Sequence, residues 1–220
     1  QRDPENRLLA RGPRVRLAPE MVRDQALLAS GLLVEKLGGP SVKPYQPAGL
    51  WKELSGGADY QRDHGESLYR RSMYTFWKRA SPPPGMMTFD SAGREACTVR
   101  ESRTNTPMQA LTLMNDETYL EAARKLAERM LREGGSTTRQ RIDRGFRLVL
   151  GRSVNDQEAT VLERSWARQV DRFRSSPADA AKLLSQGESK RDEKLDTTDL
   201  ASATMVASAI LNLDEAVTKQ

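Results

Sequence analysis

From Thr106 onward the chain is a succession of apolar stripes at spacings of three and four, most of them opened by a capping residue and closed by Gly or Pro. That pattern admits little besides amphipathic helices. Thr106-Pro107-Met108-Gln109 reads as a capping box, with Thr at the cap, Pro first and Gln109 reaching back, and opens a helix to about Met114. Asn115 or Asp116 caps the next, to about Arg132, with Tyr119, Ala122, Ala123, Leu126, Ala127 and Met130 as its stripe. Another holds Ile142, Phe146, Val149 and Leu150. Asn155 and Glu158 cap one carrying Ala159, Leu162, Trp166, Val170 and Phe173, which Ser175-Ser176-Pro177 stops. A last helix, Leu200 to about Val217, is apolar on most sides, which predicts a central position docked against the first helix.

The first half is less regular. A helix is predicted from Pro19 to the Gly38-Gly39 pair, and its apolar residues, including Met21, Leu28, Leu32 and Leu33, cover most of its circumference, which predicts burial. Residues 40–67 are rich in Pro and Gly and read as a long irregular segment pinned to the body by Tyr45 and Trp51. Arg71 to Lys78 is the best strand candidate, through Tyr74, Thr75, Phe76 and Trp77, with a short helix as the alternative. Residues 186–199 hold one apolar residue among many charges and read as a mobile charged loop or linker. The expectation is a single mainly α domain over residues 1–220: an irregular bundle of about six helices, with a long Pro- and aromatic-rich irregular segment and little or no β structure.

Several chemistries are excluded by count. One Cys rules out an intrachain disulfide, the paired-Cys attachment of a c-type haem and a Cys-rich zinc site. One His rules out centres built on two or three imidazoles. There is no phosphate-cradling Gly loop, no nucleophile elbow, no nucleic-acid motif and no apolar run of the roughly 20 residues that cross a bilayer. No cofactor and no metal are expected, and neither nucleic acid nor a membrane span is expected as partner. The net charge of +5 arises wholly from residues 1–103, so an anionic partner would meet that half.

The aromatic residues Tyr69, Tyr74, Phe76, Trp77 and Phe89 lie with seven Lys or Arg in residues 69–116. Rings beside guanidinium groups make either a ligand-binding face or an irregular core sealed by ion pairs with Glu66, Asp90, Glu95 and Glu101. The binding candidates are Arg71, Tyr74, Trp77, Lys78, Arg94, Arg100 and Arg103, with Asn105 near a helix start as an anion contact. A second candidate is polar: Asp63, His64 and Glu66, with Asp59 and Asp90, could supply a general base or hard-cation ligands. Cys97, between Arg94 and Arg100, is the sole candidate thiol nucleophile.

The runs RRSMYTFWKRASPPPGMMTFD, REACTVRESRTNTPMQALTLMND and ASAILNLDE resemble the C-terminal domain of unknown function in large planctomycete proteins that often carry a cytochrome-c-like domain upstream. The start, DPENRLLARGPRVRLAPEMVRDQALLASGLL, is similar to the same family. The resemblance implies the C-terminal portion of a longer exported multidomain protein, whose upstream domains are candidate partners. It implies no activity. Three functions remain open: an interaction module that binds an anionic polymer such as a glycan, or a neighbouring domain; part of an enzyme using His64 with acidic residues and Cys97; or a structural scaffold that docks upstream domains.

Overall fold

The computed structural model describes residues 3–10, 12, 14–54, 59–93, 96–99 and 103–219. The order is β1 (Val15–Arg16), α1 (Pro19–Ser30), α2 (Leu50–Leu54), two 3-10 turns (Gly65–Tyr69 and Ser72–Tyr74), α3 (Pro84–Thr88), α4 (Pro107–Asn115), α5 (Glu117–Glu133), α6 (Thr138–Leu150), α7 (Asp156–Ser175), α8 (Pro177–Leu184), α9 (Thr197–Leu211), α10 (Asp214–Val217) and β2 (Thr218–Lys219). The protein is mainly α. The six expected helices are present, and α8 with the short α2 and α3 adds to them; the expected last helix is broken at Asn212 and Leu213 into α9 and the short α10. The described sheet is a single antiparallel pair, Val15 opposite Lys219 and Arg16 opposite Thr218, which joins the two ends of the described chain. No described helix is long and apolar enough to cross a membrane.

The centre is the pair α5 and α9. Ala122, Ala123 and Ala127 of α5 and Ala201, Ala203 and Ala207 of α9 are fully buried, and such small side chains let two backbones approach. Gly145 of α6 serves the same end. A Cβ there would lie 2.9 Å from Met130 Sδ and 3.0 Å from Ile210 Cδ1, so α6 seats tightly against both central helices. The last long helix does not dock on the first as expected: α9 packs on α5, α7 and α8, while α1 packs on α5.

Two further expectations are corrected. α1 ends at Ser30, seven residues before Leu37, because Gly31 takes φ +79° and its N–H returns to the Leu27 and Leu28 carbonyls. The chain freed there runs beside the 3-10 turns, where the Val34 N–H donates to the Tyr69 carbonyl at 3.0 Å. Arg71–Lys78 is not a strand: it opens with the Ser72–Tyr74 turn and then pairs only through isolated bridges. Val42 brackets Thr75, donating to the Tyr74 carbonyl at 2.8 Å and accepting from the Phe76 N–H at 2.7 Å. Pro40 and Pro44 flank Val42, and proline has no N–H to lengthen such a ladder.

Residues 186–192 are fastened to α5 by buried charges. Arg124, 1% exposed, donates to the Gln186 and Ser189 carbonyls, to Ser189 Oγ at 2.9 Å and to Glu128 at 3.4 Å. Glu121 accepts from the Tyr69 hydroxyl at 2.9 Å and from the Ser189 N–H, and Glu128 accepts from the Asp192 N–H at 3.2 Å. Burial and the Glu121 carboxylate push the Tyr69 hydroxyl up to about 12.

Candidate functional site

In residues 34–78 the cations and rings engage one another. Arg70, 5% exposed, donates to the Lys36, Gly38 and Pro40 carbonyls and lies 3.9 Å from the centroid of Tyr74. The Tyr74 hydroxyl accepts from the Gly38 N–H at 2.8 Å. Lys78 Nζ sits 4.4 Å over Trp51, Lys43 Nζ 5.4 Å over Phe76, and Arg62 5.0 Å over Tyr45. Trp51 packs edge-on to Tyr60 at 5.0 Å. Tyr45 and Trp51 are each 7% exposed and hold the irregular segment down. Such cation–ring contacts are worth roughly 0.5–1 kcal/mol each where water still reaches them.

The binding candidates are therefore distributed. Arg71 is exposed on α1's side, its Nε donating to Asp24 at 3.2 Å, while Asp24 also accepts from the Ser72 N–H at 2.7 Å. Tyr74, Trp77 and Lys78 are half-buried. Arg103 lies on a separate stretch and donates to the Arg16 carbonyl at 2.6 Å; Asn105 near it is exposed. Arg94 and Arg100 lie outside the described residues, as does Glu101. Asp90 does not neutralise an arginine by any bond described; it holds the Thr104 N–H at 2.7 Å and the Thr104 hydroxyl. Gln109 does not close the expected capping box. Its N–H reaches Thr106 Oγ1 at 3.4 Å, but its side chain bridges Arg16 at 2.6 Å and the Thr88 carbonyl at 3.0 Å.

The polar candidates separate likewise. His64 is exposed, with Nδ1 2.6 Å from Glu188 Oε2, and Glu188 Oε1 accepts from the Gly65 N–H at 2.6 Å. The Gly65 N–H and then His64 hold the Glu188 carboxyl below the usual carboxylate range. Asp63 accepts from the Lys43 N–H at 2.7 Å, which closes the 43–63 loop. Glu66 is exposed in the first 3-10 turn. Cys97 is exposed and free. Among the described residues no group of three or more His, Cys, Asp or Glu side chains is placed to hold a metal ion.

A feature the sequence reading missed lies beside α1. A groove of about 600 Å³ runs between α1 and residues 33–37, lined by Met21, Leu28, Leu33 and Leu37 with Asp24, Gln25, Glu35 and Arg71. Met21 is 58%, Leu28 59% and Leu37 83% exposed. The buried side of α1 is instead Val22, Ala26, Leu27 and Ala29, which corrects the expectation of a helix buried all round. A signal existed: Met21 and Leu28 are seven apart, hence on one face, and Asp24 and Gln25 lie between them on that face. Of the sequence candidates, Arg71 reaches this groove.

Comparison with curated proteins and with solved structures found no match. Residues 1–166 match the family described as PSD1: protein of unknown function (DUF1553). That span runs from the N-terminal segment through α1 to the middle of α7. It holds the irregular segment, the groove and α5, and with three quarters of its length matched the chain belongs to this family.

Proposed function

We propose that this chain is a non-catalytic interaction module of a longer polypeptide, and that the groove beside α1 receives an apolar segment of a neighbouring protein domain. The observation that carries this is the exposure of Met21, Leu28 and Leu37 around one concavity. Large apolar side chains gathered on an outer face mark a docking surface more often than a solvated one. The Arg71–Asp24 pair and Glu35 supply a polar rim. Of the cations that could meet an anionic polymer, the described ones have local work: Lys78 covers a ring, and Arg71 and Arg103 bond within the chain, as the neighbouring Arg70 does to carbonyls.

Magnitudes favour a tethered partner over a free one. Burying three such side chains yields at most roughly 1.5–3 kcal/mol each. Association of free molecules costs an estimated ~4–15 kcal/mol. A neighbour on the same polypeptide meets the groove at an effective concentration on the order of millimolar, and so needs little intrinsic affinity.

Photo-crosslinkers placed at Leu28 and Leu37 of the longer polypeptide test this, with exposed Val161 as control. Adducts from both groove positions are expected in one apolar segment of one neighbouring domain. Heparin and alginate binding is measured in parallel. Scattered adducts, together with polymer binding that falls steeply with salt and is lost in Arg71→Ala or Arg103→Ala, would replace docking with polymer recognition.

A further inference from the structure

Arg23 is buried deep in the molecule with no carboxylate among its hydrogen-bond partners. It is 6% exposed, and its two terminal nitrogens donate to the Arg70 carbonyl at 2.9 Å, Ser72 Oγ at 3.1 Å and the Leu68 carbonyl. Those bonds use three of its five N–H donors and fix the guanidinium plane, leaving one hydrogen on the second terminal nitrogen and the Nε–H. Nε is buried and unpartnered. Burial lowers the Arg23 pKa, while the nearby Asp24 and Asp116 carboxylates act in the opposite direction without hydrogen-bonding to it.

Arg23 lines a cavity of about 40 Å³. Two more of the chain's buried, unpartnered polar atoms belong to residues lining the same space, Thr75 Oγ1 and Gln46 Oε1. Buried polar atoms usually have a partner, so three such atoms on residues that line one space mark it as a polar site. The volume holds about three water-sized centres, by the rule of roughly 10–15 Å³ for each. A carboxylate has three heavy atoms. The first residue of α1, Pro19, and the first turn of α5, at Thr118 and Tyr119, also border the space, so two helices of 12 and 17 residues present their partly positive ends to it. Its lining passes from buried Arg23 and Thr75 to half-buried Gln46, Pro84 and Gly85, which gives it a way to the surface.

We propose that this cavity is a binding site for a small monovalent carboxylate of formate or acetate size, held by the Nε–H of Arg23 and the Thr75 hydroxyl. A half-turn of the Gln46 amide brings its N–H to the same ligand, a rotation that leaves its shape unchanged. Asp116 is the opposing charge at the cavity, and its Oδ1 is engaged by the Thr118 N–H at 2.9 Å. With Asp24 and Asp116 both near Arg23, a singly charged ligand meets less repulsion here than a dianion does. This site is separate from the α1 groove, and its test does not depend on that reading.

The full chain is titrated with sodium formate and sodium acetate against sodium chloride at equal ionic strength. Thermal unfolding and saturation-transfer NMR of the formate proton are followed. Formate is expected to raise Tm saturably above the chloride control, as a ligand of the folded state must, and to give a saturation-transfer signal. Thr75→Val and Gln46→Leu keep their cooperative melts and each weaken formate about tenfold, the effect of one lost hydrogen bond to a charged ligand. The proposal is overturned if neither acid exceeds chloride in either measurement, or if both variants bind formate as the parent does. A Thr75→Val chain that only gains Tm, with no formate response in the parent, assigns the space to water and also overturns it.

Discussion

Arg23, Arg70 and Arg124 are each at least nine-tenths buried, and each donates to backbone carbonyls that lie far away in sequence. A guanidinium can do this because its fork of donors serves several acceptors at once. Sequence alone directs attention to the arginines beside the rings, since arginine is usually exposed and nothing local marks a buried one. The one available hint is Arg124 itself, set directly after Ala122 and Ala123 and flanked by Glu121 and Glu128 at helical spacing. Arg124→Met should cost about 3–5 kcal/mol in denaturant unfolding, because Glu121 is left buried without its cation and Glu128 keeps only Lys125. Adding Glu121→Gln and Glu128→Gln should recover part of that loss. Equal stability of the single variant and the parent would remove the network from the account. Gly187 reports on the same place. Its φ is +80°, and a Cβ there would fall 2.3 Å from Glu121 Cδ. Gly187→Ala should lower stability by at least about 2 kcal/mol, from the left-handed backbone together with displacement of Glu121. A melt within 1 °C of the parent would contradict it.

At the scale of elements, the helices that announce both cap and stripe were legible. Asn155 and Glu158 form the complete reciprocal box that their spacing predicts, and the stripe from Ala159 to Phe173 supplies the inward face of α7. Elements set by tertiary pairing were not. Nothing around Gly31 distinguishes a helix end from a tolerated mid-helix glycine until Val34 is seen bonded to Tyr69. The strand reading of Arg71–Lys78 weighed β propensity correctly but lacked a partner, because the matching residue is Val42 alone between two prolines. Arg152, just after α6, links α7 and α10, since it donates to Glu158 of α7 at 2.6 and 2.9 Å and to Glu215 of α10 at 2.8 and 3.0 Å. The bond from Arg152 holds the Glu158 carboxyl below its ordinary pKa. A depressed folded pKa contributes stability that is complete above the unfolded value and disappears as pH falls through the folded one. The Glu158→Gln chain should therefore be less stable than the parent at neutral pH, by no more than about 1 kcal/mol because the pair is partly exposed to water. The gap should close on acidification below the ordinary glutamate range. A gap that widens in acid would contradict the assignment.

At the scale of the whole molecule, the chain closes around α5 and α9, and its ends meet in the β1–β2 pair. The family match stops within α7, yet α9 lies beyond it and fills the core, so matched and unmatched parts share one hydrophobic cluster. Of the described cations that the sequence offers as an outward face, Lys78 lies over Trp51, Arg71 pairs with Asp24 and Arg103 donates to the Arg16 carbonyl. Among the large apolar side chains that stay outside are those on the flank of α1, read from sequence as interior because apolar composition says nothing about how many neighbours arrive to cover it. The most direct measurement is the NMR spectrum of the methyl groups of Met21, Leu28, Leu33 and Leu37, compared between the isolated chain and the longer polypeptide with a neighbouring domain that the proposal requires. The account predicts that these four signals move and lose solvent exposure together, while exposed Val161 stays where it was. Unchanged groove methyls in the longer polypeptide would contradict it.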